Sequence, residues 1–91
     1  MTAGVTIQNS STVDTRSFRV VIAYSEEDKV YYASVPSLEG CMTYGDTVDE
    51  AMKNIREATE GVVAAMLDQG WAIPDDSQTL EYNLQIPLAT H

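Results

Sequence analysis

Residues 35–58 read VPSLEGCMTYGDTVDEAMKNIREA, and this stretch decides the fold because three structural signals follow one another in order. A proline and a glycine end one strand, a short strand follows, and residues 45–47 open a helix. Thr47 and Glu50 have capping-box spacing, in which the hydroxyl accepts from the Glu50 amide and the carboxylate reaches back to the cap's own N–H. The sequence therefore predicts a helix that begins at Val48.

The predicted helix has one apolar face, whose residues recur at spacings of three and four while charged residues occupy the other side. Gly70 is suited to the left-handed position that ends a helix, and Pro74 prevents the helix from resuming. We expect the helix to run from about Val48 to Gln69. Its buried face comprises Val48, Met52, Ile55, Val62 and Met66.

Three strands are predicted before this helix. Residues 18–24, FRVVIAY, are apolar on both sides and indicate an interior strand. Residues 30–35, VYYASV, are rich in β-branched and aromatic residues and form the returning strand after a polar hairpin connection at 25–29. A short third strand at 41–44 completes a meander.

A fourth strand is predicted after the helix, because LEYNLQI at 80–86 alternates apolar and polar residues. A strand, a helix and another strand form a crossover, which places the last strand parallel to one strand of the meander. The expected order is 3-2-1-4. The fold class is therefore α+β, with one four-stranded sheet and one long helix on one face.

One helix covers only one face of such a sheet. The other face is expected to carry Val21, Ala23 and one or two of the tyrosines at 31 and 32. That is more apolar surface than a monomer usually leaves in water. The pattern predicts self-association or a partner protein on this face.

Length and charge limit the classes of function. Ninety-one residues form one small domain, which we place at 18–88 after a flexible arm at 1–17 that is rich in Ser and Thr. The 14 acidic and 5 basic residues give a net charge of −9, which disfavours nucleic-acid binding and favours a basic partner. The alternative, that the charge only maintains solubility, stays open.

The location follows from two further features. The chain has no apolar run of the roughly 18 residues needed to span a bilayer, and its N-terminus lacks the pattern of a signal peptide. Cys41 is the only cysteine, so no disulfide framework or Cys/His metal spacing exists. We expect a soluble cytoplasmic protein.

No catalytic set is evident in the sequence. His91 is the only histidine and the last residue, and Cys41 has no histidine to activate it. The acidic groups at 26–28 and 46–50 are explained by a solvated turn and by a helix N-terminus. We therefore predict no enzyme activity, no metal and no cofactor. For the tyrosines, core packing and contact with a partner protein remain open alternatives.

Four blocks resemble one known family. They are YASVP at 32–36, LEGC at 38–41, GDTVDEA at 45–51 and GWAIP at 70–74. In this order and spacing they are similar to the HicB-like antitoxins of type II toxin–antitoxin systems. The resemblance implies a partial ribonuclease-H-like β-β-β-α-β domain without nuclease activity, which binds and neutralises a small basic HicA-type ribonuclease that cleaves mRNA.

Many members of that family continue into a C-terminal DNA-binding module, whereas this sequence ends five residues after the predicted fourth strand. We therefore expect a short form that does not contact nucleic acid directly.

The leading hypothesis is a non-catalytic antitoxin-like protein that binds a basic toxin and assembles as a dimer or tetramer. The alternatives are a solitary oligomeric scaffold or small-ligand-binding domain of the same fold, and a degenerate metal-dependent nuclease. The candidate partner-binding residues combine acidic side chains with surface aromatic and proline residues: Glu26, Glu27, Asp28, Tyr31, Tyr32, Pro36, Glu39 and Trp71.

Overall fold

The computed structural model describes residues 14–89. It contains β1 (Val21–Ser25), β2 (Val30–Ser34), β3 (Met42–Gly45) and α1 (Val48–Gln69), and it confirms the α+β class. Most of the predicted arm and His91 lie outside the described residues.

The three strands form one antiparallel sheet in the order β1-β2-β3, as the meander predicts. Ile22 pairs with Ala33, and Ala33 pairs with Thr43, so these three side chains share one face of the sheet. Their neighbours along each strand point to the opposite face, because side chains alternate along a strand.

The helix has the predicted bounds and both of its predicted ends. The Glu50 amide donates to Thr47 Oγ1 over 3.0 Å, and the Glu50 carboxylate accepts from the Asp46 amide over 2.6 Å. The return bond therefore reaches the residue before the cap and not the cap itself. At the other end Gly70 has φ 73°, and the Trp71 amide donates to the Met66 carbonyl, which is the Schellman arrangement.

The core is small and lies between α1 and the inner face of the sheet. Its buried residues are Ala33, Val35, Leu38, Cys41, Ala51 and Ile55. Gly45 allows the closest approach between sheet and helix, since a Cβ at this position would lie 2.5 Å from the Ala51 backbone nitrogen. The helix therefore packs mainly over β3 and, to a smaller extent, over β2.

The sheet differs from the prediction on the β1 side. Residues 80–86 lie in no strand, so the described part of the sheet has three strands and not four. As a result β1 is an edge strand and not the interior strand that its apolar character predicts. The alternation at 80–86 specifies which side chains share a face, but a strand also needs a neighbouring backbone to pair with. Within residues 14–89 no strand pairs with this segment.

The connection after the helix is hydrogen-bonded to the residues that precede β1. The Asp76 amide donates to the Ser17 carbonyl over 2.7 Å, and Asp76 Oδ2 accepts from the Arg19 amide over 3.0 Å. The Arg19 guanidinium also donates to the Thr79 carbonyl. Residues 73–79 therefore run beside residues 16–19, and we call this pairing the clamp.

Candidate protein-binding face

The sheet face opposite α1 carries an apolar surface that no described element covers. The strand register places Val21, Ala23, Tyr32, Met42 and Tyr44 together on it. Met42 and Tyr44 are 63% and 57% exposed, although both are large apolar side chains. We call this set of five residues the open face.

Two tyrosines form the centre of the open face. The rings of Tyr32 and Tyr44, which are paired across β2 and β3, meet edge to face with centroids 6.0 Å apart. The Tyr32 hydroxyl donates to Asp28 Oδ2 over 2.6 Å. This hydrogen bond raises the pKa of the Tyr32 phenol, because the neutral hydroxyl is the form that donates to the carboxylate.

The hairpin between β1 and β2 forms an acidic end to the open face. Glu26, Glu27 and Asp28 are all exposed there. The Asp28 amide donates to Ser25 Oγ over 3.0 Å, and the Lys29 amide donates to the Ser25 carbonyl over 2.7 Å. Lys29 has φ 59°, an uncommon left-handed conformation that lets the hairpin close in four residues.

The structure brings together only part of the predicted set of partner-binding residues. Tyr32 and the three acidic residues of the hairpin share one end of the sheet. Tyr31 lies on the other face, packs against the core and contacts the Tyr24 ring at a centroid distance of 4.9 Å.

The remaining members of the set lie away from this end. Pro36 and Glu39 are exposed in the connection between β2 and β3, at the opposite end of the strands from the hairpin. Trp71 follows the helix C-terminus and is 61% exposed.

Met42 and Tyr44 were not predicted to lie on this surface. The signal was present, because these two residues alternate with Thr43 and Gly45 in a strand whose inner side faces the helix. The strand is so short that its period of two shows only once its register with β2 is known.

Cys41 is a buried core residue. Cys41 Sγ lies 3.5 Å from Thr59 Oγ1, beside α1 and within the core. Within residues 14–89, no three side chains of His, Cys, Asp or Glu come together as a metal ion would need. In the same part of the chain, α1 lacks the continuous apolar length that crossing a bilayer requires.

These features define a small α+β domain that exposes one sheet face with aromatic side chains at the centre and carboxylates at one end. The family model described as "HicB_like antitoxin of bacterial toxin-antitoxin system" matches residues 18–88. The chain belongs to this family of HicB-like antitoxins.

Similar proteins come from bacteria and archaea. A UPF0150 protein of Thermoplasma acidophilum is 39% identical over 57 residues, which cover 63% of this chain and 83% of the relative. A UPF0150 protein of Synechocystis is 45% identical over 40 residues, covering 44% of this chain and 58% of that protein. The crystal structure of the N-terminal domain of Burkholderia pseudomallei antitoxin HicB superposes with a TM-score of 0.55 at 32% identity, covering 63% of this chain and 66% of that chain.

Proposed function

We propose that this chain is the antitoxin of a toxin–antitoxin pair and neutralises a small basic HicA-type ribonuclease by protein–protein contact, without catalysing a reaction itself. The observation that carries the proposal is the family match over residues 18–88, which spans all four described elements. The cytoplasm, where mRNA is cleaved, is the location that this role requires.

The open face is the surface that we assign to the toxin. Tyrosines are common among residues that dominate binding energy at interfaces, because they bury a large rigid area and retain a polar end. Tyr32 and Tyr44 lie at the centre of the open face, and the acidic hairpin lies at one end. A basic partner would meet apolar contact and opposite charge on one continuous surface.

The net charge of −9 supports a basic partner. Complementary charge accelerates association by steering the two proteins together, and this acceleration weakens as salt screens it. The same charge disfavours contact with a phosphate backbone, so we infer no direct binding of nucleic acid by these residues.

The first experiment tests whether a complex forms. The chain is co-expressed with any small basic protein that is encoded beside its gene, and RNA cleavage by that protein is measured with and without the chain. We expect a complex that co-purifies and suppresses cleavage. A basic neighbour that cleaves RNA equally well in the presence of the chain would contradict the proposal and favour a solitary scaffold of the same fold.

The second experiment tests the acidic hairpin with a matched pair of double variants. Glu26→Lys with Glu27→Lys reverses two charges on the hairpin, whereas Glu57→Lys with Asp68→Lys reverses two exposed charges on α1. We expect the hairpin variant to lower the association rate with the toxin about tenfold more than the helix variant does. Equal effects would show that only net charge matters and would remove the hairpin from the interface.

The third experiment tests the centre of the open face. Tyr44→Ala removes a 57% exposed aromatic ring, and Tyr44→Phe retains the ring. If the ring is an anchor, the alanine variant raises the Kd about thirtyfold while phenylalanine stays close to the parent. A Kd that is unchanged in Tyr44→Ala would assign toxin binding to another surface.

A further inference from the structure

The inner side of the sheet has a groove beside β1 that the helix does not fill. The groove has a volume of about 890 Å³ and lies between the residues preceding β1 and one side of α1. Its walls are mainly apolar: Phe18 and Val20 on the sheet side, and Met52, Val63 and Leu67 on the helix side. It exists because α1 packs over β3 and β2, so that the β1 side of the inner face stays open.

The backbone edge next to this groove has no partner strand in the part of the chain that the structure describes. β1 pairs with β2 on one side, and within residues 14–89 no strand pairs with its other side. A free edge presents unpaired amides and carbonyls that accept an added strand. The groove and the edge together form a binding site for one added strand that has one apolar face.

Residues 80–88 have the side-chain pattern of such a strand, but they do not lie in the groove. In residues 80–86 the side chains of Leu80, Tyr82, Leu84 and Ile86 alternate with polar residues, and Leu88 follows after Pro87; these five apolar residues are 64% to 85% exposed. Every residue from 80 to 89 is exposed, so the segment does not pack on the domain. A monomer does not usually leave so large an apolar stripe in water.

The clamp determines where this segment starts. It fixes Asp76 and Thr79 beside Ser17 and Arg19, immediately before β1. Leu80 therefore starts near the groove of its own chain, but residues 80–88 are exposed and do not line that groove. Two copies related by a two-fold axis can each place these apolar residues in the other's groove. This arrangement buries the apolar side chains of both segments and pairs the β1 edge of both copies.

Charge on the groove fits the same occupant. Arg16, Lys53 and Arg56 line the groove together with Asp14 and Glu60, which pair with Arg16 and Arg56. The lining therefore carries one net positive charge, from Lys53, in a chain whose net charge is −9. Glu81 is the charged residue of the segment 80–88. The groove therefore repels a second copy of this acidic chain less than the rest of its surface does.

We propose that two copies of this chain exchange residues 80–88, each segment pairing with β1 of the other copy and filling its groove with Leu80, Tyr82, Leu84 and Ile86. The exchange supplies the fourth strand, which completes a four-stranded, ribonuclease-H-like sheet in each half of the dimer. It does not involve the open face, so it is independent of toxin binding.

The decisive experiment locates the segment by NMR. Full-length chains with two different isotope labels are mixed, unfolded and refolded together, and contacts between differently labelled chains are recorded. We expect contacts from the methyl groups of Leu84 and Ile86 of one copy to apolar groove residues on α1 of the other, such as Val63. If these contacts occur only within one chain, the segment closes on its own β1 and the proposal is wrong. Absence of the contacts would also overturn it.

A matched pair of variants tests the side of the strand. Leu84→Asp places a carboxylate on the apolar stripe, and Gln85→Asp places the same group on the next residue, which faces the other way. In sedimentation equilibrium we expect Leu84→Asp to raise the dimer Kd at least about tenfold more than Gln85→Asp does, because a buried unpaired carboxylate is strongly unfavourable. Equal shifts, or a monomeric parent chain, would overturn the proposal.

Discussion

Residues 48–66 and residues 80–88 both present apolar side chains at regular spacing, yet the two regions end in opposite environments. On α1, Ile55 is 1% exposed and packs in the core, whereas Leu84 in the C-terminal segment is 83% exposed. The helix makes its own backbone hydrogen bonds and needs a neighbour only for its apolar face. The C-terminal segment needs a neighbour for both its backbone and its side chains.

This difference shows that a periodic pattern of apolar residues determines the structure of a helix more fully than that of a strand. A capped amphipathic helix finds its partner nearby in sequence, because β2 and β3 immediately precede it and already form a sheet. A terminal strand depends on an edge that is distant in sequence or belongs to another molecule. Four predictions sharpen this comparison, in order of decreasing effect.

The largest effect is expected when the same kind of truncation is made in both regions. Ile55→Ala opens a cavity in the core and should lower the free energy of unfolding by about 3–4 kcal/mol. Leu84→Ala should lower it by less than about 0.5 kcal/mol in dilute solution, since Leu84 is exposed in the single chain. Urea unfolding followed by circular dichroism gives both values.

Unfolding of the Ile55→Ala and Leu84→Ala variants at several protein concentrations also tests the proposed dimer. If the segments are exchanged, the loss in Leu84→Ala grows as concentration rises, while the loss in Ile55→Ala stays constant. Equal destabilisation by both variants in dilute solution would show that the two regions do not differ as described.

The second prediction concerns the close contact between sheet and helix. Gly45→Ala should destabilise the domain by about 2–3 kcal/mol, because the added methyl group meets the Ala51 backbone at 2.5 Å and the helix must shift. Gly61→Ala is the matched control, since a Cβ there meets nothing within 4 Å. It should stabilise the helix by about 1 kcal/mol. Thermal unfolding of the two variants should therefore shift in opposite directions.

The third prediction weakens the clamp between the two regions. Asp76→Ala removes the acceptor for the Arg19 amide and for the Ser37 hydroxyl, which donates over 2.8 Å. We expect a loss of about 1–2 kcal/mol in the local opening free energy, measured as faster hydrogen exchange at Ser17 and Arg19. Exchange of the α1 amides should remain unchanged. Asp68→Ala, at an exposed position on α1, is the control and should leave the clamp amides protected.

The smallest effect concerns pH. The pKa of the Asp75 carboxyl is lowered, first by the hydrogen bond from the Ser17 amide and next by that from the Ser77 hydroxyl, which are both 2.8 Å long. A carboxyl group with a depressed folded-state pKa contributes stability above its unfolded pKa of about 3.9, and this contribution disappears as pH falls through the folded-state value.

Asp75→Asn should therefore show a shallower loss of stability on acidification than the parent chain, as measured by urea unfolding at a series of acidic pH values. Ser77→Ala should move the Asp75 pKa part of the way back towards its ordinary value in an NMR titration. A parent chain and an Asn variant with identical acid profiles would contradict the assigned hydrogen bonds.

Much of the fold was predictable because its signals are local. The capping residues Thr47 and Glu50 and the left-handed Gly70 determine where α1 begins and ends, and the structure confirms both ends. The hairpin at 25–29 and the two antiparallel pairings follow from strand pattern and short connections, and they are confirmed as well.

The candidate site was predictable only in part. The sequence predicts an uncovered apolar face with Val21 and Ala23, and the register adds Met42 and Tyr44 to it. The sequence pattern does not assign Tyr31 and Tyr32 to their faces, since adjacent residues of a strand point in opposite directions and both are tyrosine. The pairing of Tyr32 with Tyr44 places Tyr32 on the open face and Tyr31 towards the core.

The amino-acid order alone determined the elements that depend on neighbours a few residues away: the helix with its two ends, the hairpin and the meander. Tertiary structure decided which edge of the sheet has no neighbouring strand within residues 14–89, and which tyrosine lies on the open face. It also decided that Asp76 joins the chain after the helix to Ser17 and Arg19 by hydrogen bonds. The physical reason is range. Caps and turns are satisfied within a few residues, whereas the pairing of a strand edge depends on backbone that is far away in sequence or in a second molecule.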